Sequence, residues 1–219
     1  MSEARERLLR VASELFYREG ITRVGMDRIL REAGVTRATM YRHFDGKEQL
    51  VAAYLRREDE ALRAAFPDPV VAGAGGAGAP SGSRSGSDAG ALSSSAPGAA
   101  AEPGPPSTDA SPEHSRAALD ELLEGIADDV VRHHDRGCPF INAAAEYPDP
   151  DSEVRRIVRA HRDWFAAAVR ARLVLAGAPD PDTTTAAIIL LRDGALVGGY
   201  LDSPATARTA FLTTARALL

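Results

Sequence analysis

The sequence predicts an all-α protein. An N-terminal three-helix domain holds a helix-turn-helix, a larger C-terminal domain is also helical, and a disordered linker separates them. Three observations predict this. Apolar residues recur at spacings of three and four in both terminal parts of the 219-residue chain, the period of a helix with one buried face. Between them, in residues 67–113, Ala, Gly, Ser and Pro fill 37 of 47 positions and no aromatic residue occurs. Such a stretch buries too little apolar area to offset its ordering entropy. Finally, 44% hydrophobic and 26% charged residues is the composition of a globular chain. The expected units are residues 1–66, a linker over 67–113, and residues 114–219.

In the first unit, Leu8, Val11, Ala12, Leu15 and Phe16 form one face of a helix over 3–19, and Gly20 ends it. A second helix is expected from Met26 to Ala33, with Gly25 as N-cap and Asp27 in the first turn, where the helix dipole favours an anion. Gly34 then supplies a tight turn and Val35 fills the angle. Thr36 caps a short third helix, Arg37 to Phe44. The helix-turn-helix thus spans about residues 25–44. A fourth helix, with Lys47 in its first turn, connects onward to Phe66.

The third helix points to chemistry. Met40 and Phe44 face inward at i, i+4, which leaves Arg37, Ala38, Thr39, Tyr41, Arg42 and His43 outward. Two guanidinium forks, a phenol, a hydroxyl and an imidazole on a helix that a major groove admits suit DNA. Arg donates in pairs to guanine O6 and N7, while Tyr, Thr and His bond phosphate oxygens. The net charge of −5 does not oppose this, because residues 20–47 carry six basic and three acidic groups. Of 26 basic residues only Lys47 is Lys; a phosphate at the fourth helix's N-terminus would give it a purpose. The alternative reading is a solvated face on a helical protein–protein adaptor that never meets DNA.

In the last unit, Leu119, Leu122, Leu123, Ile126, Val130 and Val131 stripe one helix. Gly137-Cys138-Pro139 breaks the chain, a short helix follows through Glu146, and Pro148 and Pro150 break it again. Asp151 or Ser152 can cap a long helix over 153–176, and two last helices occupy about 183–201 and 204–218. Ile188, Ile189, Leu190, Leu191, Leu196, Val197 and Leu201 surround the first of these two on most sides. A helix apolar nearly all round needs partners on each side; a second copy of the chain in a symmetric homodimer is the simplest supply, and a buried core within one monomer is the alternative.

Other chemistry finds no support. Gly73 to Gly78 matches the dinucleotide pattern GxGxxG, but Pro67, Pro69 and Pro80 flank it where a strand and a helix are required. His133 and His134 are adjacent, so on a helix they point about 100° apart and cannot chelate together. No acid–base or nucleophile constellation suggests an enzyme, and no cofactor or metal is expected. Cys138, the one cysteine, reads as a small buried hydrophobe and fits a reducing cytoplasm. No apolar run approaches the roughly 18 residues of a membrane span, and the N-terminus lacks a secretory pattern.

The string Ala33-Gly34-Val35-Thr36, followed by Tyr41-Arg42-His43-Phe44 and Lys47-Glu48, resembles the DNA-binding domain of the tetracycline-repressor-like (TetR) family, the likeness running over residues 3–55. The resemblance implies that 26–33 support and 37–43 recognise. Arg37, Ala38, Tyr41 and Arg42 would meet base edges or nearby phosphates. Thr36, Thr39, Tyr41, His43 and Lys47 would hold the backbone. Gly25 departs from the Ser or Thr usual there, so only its N–H is available to phosphate. The resemblance further implies a homodimer through the last two helices, and a repressor released from a palindromic double-stranded operator by a small-molecule effector. Arg136 to Phe165 is similar to a version of the family's regulatory domain, in which Asn142, Glu146, Trp164 and Phe165 would line the effector pocket. The long linker departs from the short turn usual between the fourth and fifth helices.

Overall fold

The computed structural model describes residues 2–66, 112–132 and 136–219, and these are helical with no strand among them. The helices are α1 (Glu3–Glu19), α2 (Met26–Ala33), α3 (Arg37–Tyr41), α4 (Lys47–Ala65), α5 (Pro112–Arg132), α6 (Pro139–Glu146), α7 (Glu153–Leu175), α8 (Pro181–Leu201) and α9 (Pro204–Ala217). The expected linker, apart from Pro112 and Glu113, lies outside the described residues, as do the GxGxxG match and His133–His134. Pro112 and Glu113 already belong to α5.

Caps place most ends where the side chains dictate. Thr36 Oγ1 accepts from Thr39 N, Ser152 from Arg155 N, and Ser203 from Thr206 N. Gly34 sits at φ +62°, a left-handed C-cap whose N–H returns to the Leu30 and Arg31 carbonyls. Two boundaries differ from expectation. α3 stops at Tyr41, because the Arg42–His43 turn folds back so that both His43 N and Phe44 N donate to Met40 O. α8 begins at Pro181, whose missing N–H costs nothing at the first position, and Asp180 caps Thr183 N.

Two apolar clusters form the core. One runs from the α1 face (Leu8, Val11, Ala12, Leu15, Phe16) through Ile29, Val35, Met40, Phe44 and α4 to Cys138, Phe140 and Val158. It therefore crosses from the N-terminal helices into the C-terminal part. The other joins Leu119, Leu122, Leu123 and Ile126 of α5 to Phe165, Val169, Ile188 and Phe211. Burying each such side chain contributes about 1.5–3 kcal/mol. Val131, expected in the α5 stripe, is exposed.

α8 corrects one expectation. It is long and apolar enough to cross a membrane by length and composition. Its midpoint nevertheless carries Arg192, 5% exposed, whose guanidinium lies 3.7 Å from Asp129, 3.4 Å from Asp193 and over the Phe165 ring. A charge buried among partners on neighbouring helices marks a packed helix.

Candidate nucleic-acid interface

α3 owes its pose to its underside. Met40 and Phe44 are 2% and 3% exposed, and Arg5 caps the Phe44 ring from α1. Thr36, Arg37, Ala38, Tyr41 and Arg42 are then left exposed, with Thr39 and His43 half-buried. Tyr41 is 54% exposed, far more than a phenol needs for packing. Neighbours hold several of these groups. Asp27, in the first turn of α2, pairs with the Arg37 guanidinium. Thr39 Oγ1 accepts from Thr36 Oγ1 at 3.0 Å and from Arg42 at 3.4 Å. His43 Nε2 lies 3.1 Å from Ser2 Oγ, and Gly25 is exposed at the start of α2.

Lys47 is half-buried. Its ammonium donates to the Thr22 carbonyl at 3.3 Å. Burial lowers its pKa, and the nearby Glu146 carboxylate works against that shift.

The structure does not gather the four expected pocket residues. Glu146 accepts from the main-chain N–H of Ile21 and Thr22, in the turn after α1. Burial pushes its carboxyl pKa up, but those N–H bonds and Lys47 outweigh this, so the net shift is downward. Asn142 donates to Arg136 O beside a cavity lined by Cys138, Ile141, Val197 and Tyr200. Trp164 stacks under the Arg63 guanidinium, and Phe165 lines a separate small cavity with His161, Arg162, Ile189 and Arg192.

That second cavity holds groups the sequence did not reveal. His161 is 2% exposed; its Nδ1 lies 2.8 Å from Asp59 Oδ1 of α4, and its ring stacks on Phe140 at 3.7 Å. Nε2 has no hydrogen-bond partner among the described residues. Burial drives the imidazole down to about pKa 4 despite Asp59, and Arg192 and Arg63 assist. Arg56 of α4 also pairs with Glu153 of α7 at 2.6 Å. Among the described residues no three His, Cys, Asp or Glu side chains are grouped to hold a metal ion.

A short exposed helix packed on α1 and tied to α2, backed by a larger helical body, is the architecture of the helix-turn-helix regulators. Residues 8–54 match the model of the bacterial regulatory proteins of the tetR family. A TetR-family transcriptional regulator from Streptomyces coelicolor, SCO4454, has a crystal structure that superposes with TM-score 0.74 at 36% identity, covering 99% of this chain and 88% of that one. The regulator SrpR of Pseudomonas putida is 39% identical over 67 residues, 30% of this chain and 32% of that protein. An HTH-type regulator of Mycobacterium tuberculosis is 42% identical over 59 residues, 27% of this chain and 29% of that one. These curated relatives are thus matched over about a third of their length. The chain belongs to the TetR family of helix-turn-helix transcriptional regulators.

Proposed function

We propose that the protein is a cytoplasmic, homodimeric repressor that grips a pseudo-palindromic operator with two copies of α3 and releases it when a small molecule enters the C-terminal domain. The observation that carries this reading is the exposed Arg37–Ala38–Tyr41–Arg42 face standing on the buried Met40 and Phe44. On this reading Arg37 and Arg42 reach guanine edges, and Asp27 holds Arg37 ready. Thr36, Thr39, Tyr41, His43, Lys47 and the Gly25 N–H bond phosphates.

The dimer half of the reading draws on α8 and α9. Leu190, Val197 and Leu201 are 72%, 45% and 67% exposed, and with Thr183, Ala186 and Gly194 they line one face at helical spacing. Thr206, Ala210, Thr213 and Ala217 continue an uncharged exposed face on α9. Small side chains let helices approach closely, so the fit is to a four-helix bundle made with a second copy. An effector releases DNA only by binding the geometry with the wrong reader spacing more tightly, and the coupling is reciprocal.

The test is selection of duplexes from genomic DNA by the purified chain, followed by salt titration. The expected result is one enriched two-fold-related sequence, with affinity falling steeply as salt rises. Tyr41→Ala weakens all duplexes alike and leaves the salt slope nearly unchanged, because a neutral phenol releases no counterion. Arg42→Ala relaxes preference at one base pair, at a cost of about 1–3 kcal/mol there. No enrichment, or no response from either variant, leaves the adaptor reading instead.

A further inference from the structure

Glu146 is the last residue of α6, yet its carboxylate reaches into the N-terminal part, 124 residues back along the chain. It accepts from Ile21 N at 2.9 Å and from Thr22 N at 2.5 Å. Gly20, at φ +92°, brings the turn so close that a Cβ there would lie 3.3 Å from Glu146 Oε1. From the other side Lys47 binds the Thr22 carbonyl, so side chains from α4 and α6 hold both polar edges of one short turn. That turn leads directly into α2.

The strut behind Glu146 is itself fixed at both ends. Arg155 of α7 donates to the Tyr147 carbonyl at 3.2 Å and, more loosely, to that of Ala144 at 3.5 Å. At the other end Gly137 packs so tightly on α8 that a Cβ would meet the Leu196 carbonyl at 3.2 Å. α6 therefore runs from the back of the proposed dimer helix to the turn that carries the helix-turn-helix. Its hydrogen bonds at Glu146 go to that turn and not to α3.

We infer that Glu146 is a positioning residue, which fixes the angle of the helix-turn-helix on the regulatory domain and thereby the separation of the two reading helices in a dimer. The inference rests on the dimeric DNA-binding reading above. It separates two properties that a general loss of stability would not. A single reader meets a single half-site equally well with or without the strut. Two readers meet two half-sites well only if their separation is held beforehand, because an unheld pair gives up orientational freedom on binding.

The test uses the full chain and the duplex it selects, footprinted and then cut to one half-site. In Glu146→Gln one of the two N–H groups faces an amide donor in place of an oxygen. Expected is about tenfold weaker binding to the two-half-site duplex, binding to the single half-site within twofold of wild type, and a flatter dependence on half-site spacing. Glu146→Asp, which keeps the charge but loses one methylene of reach, is expected to behave alike; it serves as the second variant should Gln fail to fold. In the free protein, the Ile21 and Thr22 amide signals shift as Glu146 titrates, and Glu146→Gln abolishes that shift. Equal loss on both duplexes, no loss on either, or a gain overturns the inference. A wild-type chain that binds no duplex, or gains nothing from the second half-site, overturns the dimeric reading and the inference with it.

Discussion

At His161 an imidazole is buried against Phe140, Trp164 and Phe165, with one nitrogen on Asp59 and the other without a hydrogen-bond partner among the described residues. Arg63 of α4 and Arg192 of α8 add positive charge nearby, so a proton is unwelcome, and the group titrates near pH 4 in the fold against 6.5 ordinarily. The unfolded chain therefore takes up a proton below about pH 6.5 that the native chain refuses until about pH 4. Stability is present in full above that window and lost as pH falls through it, by at most roughly 3 kcal/mol. His161→Asn keeps a side-chain donor toward Asp59 without the titration. Urea midpoints at pH 7 and pH 5 are expected to fall less in the variant than in wild type; an equal fall refutes the assignment. None of this was legible in the sequence. Asp59 and His161 are 102 residues apart, and each merely interrupts an apolar stripe. The contacts of Glu146 were hidden for a related reason, since the main-chain N–H groups of Ile21 and Thr22 that it meets lie 125 and 124 residues away along the chain.

The helices themselves were largely legible, since a period of 3.6 and a capping hydroxyl are local signals that tertiary packing here does not contradict. Thr36, Ser152 and Pro139 all stand where their chemistry suggested. The errors fell where side-chain preference and turn geometry compete, as at the end of α3. Which face of an all-round apolar helix turns inward was not legible either. α8 buries Ile188 and Leu196 and leaves Leu190, Val197 and Leu201 outside, a choice fixed by α5, α7 and α9. That division makes a clean test. Leu190 touches little in the monomer, so Leu190→Glu is expected to leave helix content and melting of the monomeric fold nearly unchanged. A glutamate from each copy at the apolar seam would be desolvated and unpaired, costing several kcal/mol of association. Light scattering should then report a monomer at micromolar concentration. A dimer that persists would move the interface elsewhere.

Over the whole molecule, the link between the reading helix and the regulatory body is made of contacts across space. Glu146 holds the Ile21–Thr22 turn, Asp59 meets His161, and Arg56 meets Glu153. Phe66 at the end of α4 lies over Gly125 of α5, where a Cβ would come within 2.6 Å of its ring. The first apolar cluster runs without a break from α1 to Phe140 and Val158. A body joined this way does not need a particular covalent path between α4 and α5, only one long enough. Removing residues 76–105 leaves 67–75 and 106–111 in place, which when extended reach roughly 50 Å. The shortened chain is therefore expected to melt within a degree or two of the full chain and to bind the selected duplex within twofold. Shortening also trims loop-closure entropy by only about 0.6 kcal/mol per halving, so a small gain in stability is the natural direction of any change. A tenfold loss of affinity with melting unchanged would show that this segment does more than join the two parts, and that the contacts through α4 and α6 are not sufficient to orient the reader.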